Sequence, residues 1–272
     1  MKAAVVQMVS SPDVADNLVT ARQLVMQAAD AGAELVVLPE YFCGMGLRDT
    51  DKLAWCETLG NGPIQQALSD WAATQGIWLA AGTLPLQAST PDQVRNASLL
   101  FGPQGQLAAH YDKIHLFRFS TPHEHYDEST VIEAGSTPVV ANITDRSGQS
   151  WKLGLSVCYD LRFPELYRQH AALGADILLA PSAFTHTTGQ AHWEVLLRAR
   201  AIENQCWMLA AAQGGRHVNG RLTWGHSMVI DPWGGIVAEC HEAGPGTALA
   251  VLDLTVLRQV RSRLPALEHR VL

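Results

Sequence analysis

Basic residues are scarce in this sequence relative to acidic ones. Lysine and arginine together number 19, against 26 aspartates and glutamates, and the formal net charge at pH 7 is −7. Nucleic-acid-binding proteins usually carry a basic face, because they neutralise phosphates. We therefore expect no nucleic acid among the partners of this protein.

Long hydrophobic runs are missing as well. A membrane-spanning helix needs a run of about 18 or more apolar residues, and the sequence contains no such run. The N-terminal stretch MKAAVVQMVSSPD has one lysine and an apolar segment too short for a signal peptide. We expect no membrane partner and no secretion.

Cysteines are few, and their arrangement excludes two uses. The chain has Cys43, Cys56, Cys158, Cys206 and Cys240, an odd number without any CxxC pair. A disulfide framework or a zinc knuckle would need paired, closely spaced cysteines. This pattern predicts a reducing cytoplasm, where each cysteine serves either packing or chemistry.

What the sequence does contain is an alternation of apolar runs and helix-period segments. Hydrophobic residues make up 47% of the chain, enough to bury a large core. The run KAAVVQM (2–8) predicts a first buried strand, followed by a helix with Ser11 as N-cap and Pro12 as first residue. A further helix is predicted at 63–75. This alternation is typical of the α/β class.

The later part of the chain continues the same pattern. The segments NASLLFG and GQLAAHYDK predict a hairpin around Pro103 to Gly105, and a helix is predicted from about Pro164. We find no linker, low-complexity tract or internal repeat. We therefore expect a single domain over residues 1–272, with a C-terminal tail from about residue 255.

Three of the predicted strands end in a polar residue that a hydrophobic core would not choose. Glu40 follows VVLP, Lys113 follows HYD, and Cys158 follows GLSV. Open α/β sheets gather ligands at the carboxyl ends of their strands. The fold could therefore bring an acid, a base and a nucleophile to one edge of a sheet.

Such a group would be able to cleave an amide or a nitrile. A carboxylate can take the proton of a thiol, and an ammonium can stabilise the thiolate and later an oxyanion. A backbone N–H after the cysteine, such as that of Tyr159, could assist. Taken singly, Cys158 could equally be a packed thiol, Glu40 a solvated or capping acid and Lys113 a surface lysine.

Metal and dinucleotide sites have weaker support in the sequence. The tripeptide HEH at 123–125 lacks the H-E-x-x-H spacing of a metalloprotease helix, and GMGLRD at 44–49 does not match G-x-G-x-x-G. The eleven histidines are scattered along the chain. We expect no metal at the site.

Three blocks in the sequence resemble the signatures of the nitrilase, or carbon–nitrogen hydrolase, superfamily. They are LPEYF (38–42), YDKIHLF (111–117) and CYDLRFPELYR (158–168). The likeness extends from residue 1 to about 254. It implies a four-layer α-β-β-α sandwich, no metal or organic cofactor, and pairing into a homodimer.

The resemblance also implies roles for individual residues. Glu40 would be the general base, Lys113 the oxyanion-stabilising cation and Cys158 the nucleophile. Many members carry a second glutamate after the lysine block, which would position the lysine. Glu128 in HYDES is the matching position, and Glu124 is the alternative. The bland interpretation of both is a solvated loop acid.

The segments 188–217 and 225–234 are similar to the branch that contains deaminated glutathione amidases. Those enzymes act on glutathione whose glutamyl amine has become a ketone, and they release cysteinylglycine. The sister group, the omega-amidases, hydrolyses 2-oxoglutaramate or 2-oxosuccinamate. A catalytically silent scaffold is the alternative outside the enzymes, although all three catalytic residues are present. The loop at 118–130 departs from the family pattern, which leaves the leaving-group side open.

Both substrates carry an α-keto acid, so an amidase of this branch needs a cation at that end. Arg162, four residues after the nucleophile, could grip a carboxylate bidentately. Phe184 and Thr188 could supply an apolar wall and a hydroxyl, and the resemblance makes the same assignments, with Tyr159 in the site. A salt bridge of Arg162 with Asp160 or Glu165, and an ordinary core position for Phe184, remain open.

Overall fold

Two β-sheets packed face to face form the centre of the molecule, in a computed structural model that describes residues 1–122 and 125–271. The strands are β1 (Lys2–Gln7), β2 (Leu35–Val37), β3 (Trp78–Ala80), β4 (Leu84–Gln87), β5 (Val94–Phe101), β6 (Leu107–Asp112), β7 (Arg118–Ser120), β8 (His125–Asp127), β9 (Val139–Thr144), β10 (Ser150–Leu155), β11 (Ile177–Leu179), β12 (Trp207–Ala210), β13 (Gly214–Arg216), β14 (Leu222–Trp224), β15 (Met228–Ile230), β16 (Ile236–Glu239) and β17 (Gly246–Val251). The α-helices are α1 (Val14–Asp30), α2 (Pro63–Gln75), α3 (Pro164–Ala172), α4 (His186–Asn204) and α5 (Leu254–Arg263). Short 3₁₀ helices span Asp49–Trp55, Glu128–Thr130 and Cys158–Arg162.

Each large sheet has parallel strands at its centre and antiparallel strands towards its edges. The first sheet has the order β17-β1-β2-β3-β5-β4, with β6 paired to β5. The second has the order β16-β15-β12-β11-β10-β9. The strands β1, β2 and β3 run parallel, as do β10, β11 and β12.

The alternation of side chains along β1 shows how the layers form. Val5 packs into the core between the two sheets, together with Leu153 of the second sheet. Its neighbours Ala4 and Val6 face the other way and pack with Val25 of α1. Successive residues of a strand point to opposite faces, so a strand buried on both sides must be apolar throughout.

Helices cover the outer faces of both sheets. Helices α1 and α2 pack on the first sheet, and α4 packs on β12 and β15 of the second, with α3 beside it. The chain is therefore a four-layer α-β-β-α sandwich of the α/β class, which confirms the predicted fold.

The start of the first helix differs from the prediction. Helix α1 begins at Val14, and its N-cap is Asp13, whose carboxylate accepts a hydrogen bond from the Asp16 amide at 3.0 Å. The prediction of Ser11 as N-cap and Pro12 as first helical residue was wrong. A carboxylate is as good a cap as a serine hydroxyl, and the two sites are only two residues apart.

Other local predictions are confirmed. Helix α2 begins at Pro63 and ends at Gln75, and helix α3 begins at Pro164. Strands β5 and β6 form an antiparallel hairpin. None of the helices in the described ranges 1–122 and 125–271 is long and apolar enough to cross a membrane.

Helix α5 lies in the segment that we predicted as a C-terminal tail. Its Leu257 and Val260 are buried. Arg261 donates from Nη2 to the carbonyl of Ala175 at 2.7 Å. This segment is thus attached to the second sheet by apolar packing and by a hydrogen bond.

Candidate active site

The ends of three strands meet at one buried point between the sheets. Glu40 lies three residues after the end of β2, Lys113 directly follows β6, and Cys158 lies three residues after β10. The Lys113 ammonium lies 2.9 Å from Oε1 of Glu40, and Cys158 lines the same cavity as Glu40. The structure therefore brings the three predicted residues together.

Lys113 is completely buried and makes three contacts with carboxylates. Its Nζ lies 2.9 Å from Oε1 of Glu40, and 2.9 and 2.7 Å from Oε1 and Oε2 of Glu128. Burial by itself disfavours the ammonium, but the charges of Glu128 and Glu40 outweigh it and hold the pKa of Lys113 well above its usual value. This lysine is a permanent cation.

Glu40 is almost fully buried and has two further donors. The Asn96 side-chain amide donates to Oε1 and the Ala183 backbone N–H donates to Oε2, each at 2.9 Å. Burial raises the pKa of Glu40, the charge of Lys113 opposes this, and the charge of Glu128 adds to it. A carboxylate with a raised pKa is a stronger base, which suits it to accept a proton from a thiol.

Glu128 fixes the lysine from the other side. Besides Lys113, it accepts a hydrogen bond from the Tyr41 hydroxyl at 2.8 Å and one from the Phe117 backbone N–H at 2.7 Å. Glu128 therefore occupies the position that the resemblance gave to the second glutamate. The alternative, Glu124, lies outside the described residues.

Cys158 is held in a conformation that is unusual for a side chain larger than glycine. Its φ angle is +50°, in the left-handed region, and its backbone N–H donates to the Pro181 carbonyl at 2.9 Å. Such a conformation costs on the order of 1–3 kcal/mol and persists only where the surroundings enforce it. The strain presents the thiol towards Glu40 at the start of the 3₁₀ helix Cys158–Arg162.

The thiol is neutral at rest. Burial raises the pKa of Cys158 well above its usual value, the charge of Glu40 adds to this, and the charge of Lys113 opposes it. The proton must therefore leave during the attack on a substrate. Tyr159 follows in the first turn of the 3₁₀ helix, where backbone N–H groups are not used by the helix itself.

Asp160 holds this turn in place, a function that sequence reasoning missed. Its fully buried carboxylate accepts hydrogen bonds from the Val157 backbone N–H at 2.8 Å and from the Tyr111 hydroxyl at 2.7 Å. It also accepts one from the His115 backbone N–H at 3.0 Å, and the His115 ring lies 2.7 Å away. Because Tyr111 and His115 flank Lys113, Asp160 joins the lysine segment to the cysteine turn.

A small cavity of about 210 Å³ opens on one side of Cys158. Its lining includes all four of the predicted substrate-binding residues, Tyr159, Arg162, Phe184 and Thr188. The Arg162 guanidinium lies over the rings of Tyr159 and Phe184, 5.7 and 5.4 Å from their centroids. Its polar neighbour is His192, with Nη1 and Nδ1 3.2 Å apart.

A larger cavity of about 630 Å³, counted with the open space at its mouth, adjoins the first one, and both are lined by Cys158, Phe117, Ala183 and Thr185. Glu40 and Glu128 line its floor, and the cations Lys52 and Arg221 line it together with Asp49. Sequence reasoning missed these last three residues. No local pattern marks them, because they come from two loops that are distant in sequence.

Two of the other cysteines are buried as well, Cys43 and Cys206. Burial raises the pKa of Cys43 to about 12 and that of Cys206 to about 12. All five cysteines are free thiols. Across residues 1–122 and 125–271, no group of three or more histidine, cysteine, aspartate or glutamate side chains is arranged to hold a metal ion.

Comparisons with known proteins agree with this geometry. The family model for carbon-nitrogen hydrolases matches residues 2–262. The chain is 43% identical over 271 residues to the deaminated glutathione amidase of Synechocystis sp. (strain PCC 6803 / GT-S), which covers 99% of this chain and 97% of that protein. It is 44% identical over 271 residues to the deaminated glutathione amidase of Homo sapiens, which covers 98% of this chain and 81% of that protein.

A solved structure has the same architecture. The NitFhit protein of C. elegans superposes with a TM-score of 0.88 at 37% sequence identity, over 99% of this chain. The chain spans 65% of that NitFhit chain. The similarity therefore covers this chain almost completely and only part of the larger protein.

Proposed function

Because the chain belongs to the carbon–nitrogen hydrolase family, whose members hydrolyse carbon–nitrogen bonds other than peptide bonds, we propose that its substrate is deaminated glutathione. The reaction hydrolyses the amide between the 2-oxoglutaryl unit and cysteinylglycine, and the protein thus acts in metabolite repair. One observation carries the proposal. Cys158 lines the same cavity as a buried Glu40 that is itself paired with Lys113.

The first half of the reaction forms a thioester. As Sγ of Cys158 attacks the amide carbon, Glu40 takes the thiol proton. The Lys113 ammonium and the Tyr159 backbone N–H stabilise the oxyanion that develops. Glu40 then gives the proton to the leaving nitrogen, the carbon–nitrogen bond breaks, and cysteinylglycine leaves.

The second half restores the thiol. Glu40 takes a proton from water, and the hydroxide attacks the thioester carbon at the same oxyanion position. The carbon–sulfur bond breaks, the thiolate recovers a proton from Glu40, and 2-oxoglutarate leaves. The raised pKa of Glu40 suits both proton transfers, because a carboxyl group whose pKa is closer to neutral pH can both accept and release a proton.

The small cavity supports the assignment of the α-keto acid end. Arg162 presents its guanidinium there between Tyr159 and Phe184, and its fork can bind a carboxylate through two hydrogen bonds. Thr188 lines the same cavity. Two relatives that match 98–99% of this chain are named deaminated glutathione amidase, which supports this choice of substrate.

An omega-amidase acting on 2-oxoglutaramate is the second candidate, because that substrate has the same acyl end. It releases only ammonia and would leave the larger cavity without a use. That cavity contains the cations Lys52 and Arg221, which favour a leaving group with a carboxylate, such as a dipeptide.

A side-by-side turnover assay tests the proposal. We expect kcat/KM for release of cysteinylglycine from deaminated glutathione to exceed that for release of ammonia from 2-oxoglutaramate. Cys158→Ala protein serves as the blank for both substrates. Faster release of ammonia would assign the protein to the omega-amidases instead, and no product from either would refute both substrates.

We also propose that the protein is a cytoplasmic homodimer. Its five free cysteines suit a reducing compartment. Val195, Ile202 and Trp233 are exposed apolar residues, and the turn after Trp233 packs near Ile202, so a second copy could cover them. Sedimentation equilibrium tests the dimer, and we expect Trp233→Asp to shift the mass towards the monomer. A wild-type monomer at micromolar concentration would refute it.

A further inference from the structure

We propose that Lys52 and Arg221 form a subsite for the terminal carboxylate of the leaving group. The inference rests on the proposed function and specifies it further, since it names the feature of the amine product that the protein recognises. An amine product that ends in a carboxylate, as a dipeptide does, would be preferred over one that does not.

The two cations come from separate loops that are joined to each other. Lys52 lies in the 3₁₀ helix Asp49–Trp55, and Arg221 directly precedes β14. The Asn219 side-chain amide donates to the Gly46 carbonyl at 2.7 Å and connects the loops. Both cations line the larger cavity, which also contains Cys158.

The cations have only one acid between them in the part of the chain that the structure describes. Nη2 of Arg221 lies 2.8 Å from Oδ1 of Asp49, and Nζ of Lys52 lies 3.8 Å from the same oxygen. Two positive charges therefore face a single carboxylate, and that carboxylate makes its shorter contact with the arginine. The group carries an excess of one positive charge.

The other acids in the cavity make their short contacts with other groups, although the charges of Glu128 and Glu40 also act on Lys52 from a distance. Glu40 and Glu128 are both engaged by Lys113. Asp127 accepts hydrogen bonds from the backbone N–H and the hydroxyl of Ser129, and it pairs with Arg118 at 3.4 Å.

The environment of Lys52 favours an added anion. Its side chain is only 15% exposed, and burial lowers its pKa despite the charge of Asp49. Its ammonium lies 5.2 Å from the centroid of the Tyr41 ring, and the Arg221 guanidinium lies 4.9 Å from that of Tyr126. The aromatic faces orient both cations in the cavity. A substrate carboxylate would give Lys52 a close negative partner.

The position of the nucleophile assigns this carboxylate to the leaving group. Cys158 lies where the two cavities adjoin; of the two, the small one contains Arg162 and the larger one contains Lys52 and Arg221. An amide attacked at Cys158 can therefore extend its acyl part towards Arg162 and its amine part towards the other two cations. Arg162 in the small cavity serves the acyl carboxylate. Lys52 and Arg221 then face the amine product, and the arginine fork can bind its carboxylate bidentately.

A matched pair of substrates tests the subsite, namely deaminated glutathione and its derivative with a C-terminal carboxamide. We expect wild-type protein to show a KM roughly 10- to 100-fold lower for the acid, the range typical of a desolvated charge pair. Arg221→Gln and Lys52→Met should reduce that ratio to within about threefold while kcat changes little. Arg48→Gln, in which an 81% exposed arginine next to the same 3₁₀ helix is neutralised, should keep the wild-type ratio.

Failure of the subsite and failure of the proposed function give different results. If cysteinylglycine is released but acid and carboxamide have equal KM values, the subsite is wrong and the function stands. If neither compound is hydrolysed, the function is wrong, and calorimetry on Cys158→Ala with the same two compounds decides the subsite. At least about tenfold tighter binding of the acid, lost on addition of Arg221→Gln, would uphold the subsite, and equal binding would overturn it.

Discussion

Two poorly exposed lysines line the surroundings of Cys158, and their pKa values are shifted in opposite directions. The side chain of Lys113 is 0% exposed and that of Lys52 is 15% exposed. The pKa of Lys113 is held well above its usual value, whereas that of Lys52 is lowered. Burial penalises the ammonium in both cases, so burial does not explain the difference.

The difference lies in their partners. Lys113 makes three contacts of 2.7 to 2.9 Å with Glu40 and Glu128, whereas the one acid within 4 Å of the Lys52 ammonium, among the residues that the structure describes, is Asp49 at 3.8 Å. A buried charge with good partners is a fixed part of the structure, and one with a weak partner favours binding of an anion. We therefore assign the first lysine to the proposed chemistry and the second to the proposed subsite for the leaving group.

The largest expected effect is a loss of activity that leaves the stability of the protein nearly unchanged. Cys158→Ala should lower kcat by at least about 10⁴-fold, because Cys158 supplies the thiol in the cavity that Glu40 lines. The free energy of unfolding, measured with urea, should change by no more than about 1 kcal/mol, since the Glu40–Lys113–Glu128 group remains intact. Turnover at the wild-type rate would refute the thioester mechanism.

The next effect tests the comparison of the lysines directly. Lys113→Met should lower kcat by about 10²- to 10³-fold through loss of an oxyanion-stabilising charge. It should also cost roughly 3–5 kcal/mol of unfolding free energy, because two buried carboxylates lose their counter-charge. Lys52→Met is the matched control and should stay within about 1 kcal/mol of wild type. Equal destabilisation by both changes would erase the distinction.

The pH dependence of this loss has a definite sign. Without the ammonium, the buried Glu40 carboxylate faces Glu128 with no counter-charge between them, and the pKa of Glu40 rises further in the folded state. Protonation then relieves their repulsion, so the penalty of Lys113→Met should be largest at neutral pH and should shrink as the pH falls. Urea unfolding at a series of pH values measures it, and a penalty independent of pH would contradict the ion-pair explanation.

A smaller effect is expected for the cation of the small cavity. Arg162→Lys should raise KM about tenfold for both α-keto acid amides, because an ammonium cannot reproduce the two-pronged contact. Its kcat should stay near the wild-type value. Arg198→Lys, at an exposed pair with Glu194 on α4, is the control and should change neither parameter. An unchanged KM in Arg162→Lys would place the acyl carboxylate elsewhere.

The smallest expected effect is a shift in the pH dependence of activity, caused by the influence of the Glu128 charge on the pKa of Glu40. That charge contributes to raising the pKa of Glu40, and Glu40 must be ionised to accept the thiol proton. Activity should therefore fall as the pH drops through the pKa of Glu40. Glu128→Gln should move this acid limb of kcat/KM to lower pH by up to about one unit, whatever its effect on the maximal rate.

The control for this shift is Glu133→Gln, which removes an acid paired with Arg95 instead of Lys113. It should leave the acid limb in place. A limb that moves to higher pH in Glu128→Gln would mean that Glu128 acts on Glu40 mainly by holding Lys113 in place.

The main features of the site could be predicted because they are local. A polar residue directly after an apolar run marks the end of a strand, and three such ends predicted Glu40, Lys113 and Cys158 as neighbours. The family blocks added Glu128. Helix α2 and the hairpin of β5 and β6 were predictable for the same reason, since their limits are set by Pro63 and by a tight turn.

The supporting contacts could not be predicted in this way. Asp160 is bonded to Tyr111 and His115, which are distant from it in sequence. The sequence left open a salt bridge between Asp160 and Arg162, but in the structure the polar partner of Arg162 is His192. Asn96 reaches Glu40 from a different strand. Even the local prediction at Ser11 was wrong, because several nearby residues can cap a helix equally well.

The sequence by itself determined the α/β alternation and the carbon–nitrogen hydrolase family, and it pointed to Glu40, Lys113 and Cys158 as the base, cation and nucleophile that we propose. These depend on residue type and on the patterns of short segments. Only the tertiary structure decided the surroundings of each charge. Lys113 and Lys52 are both lysines, but the carboxylates that the fold places beside Lys113 raise its pKa, whereas burial lowers that of Lys52. For this reason we assign the first to the proposed chemistry and the second to the proposed subsite.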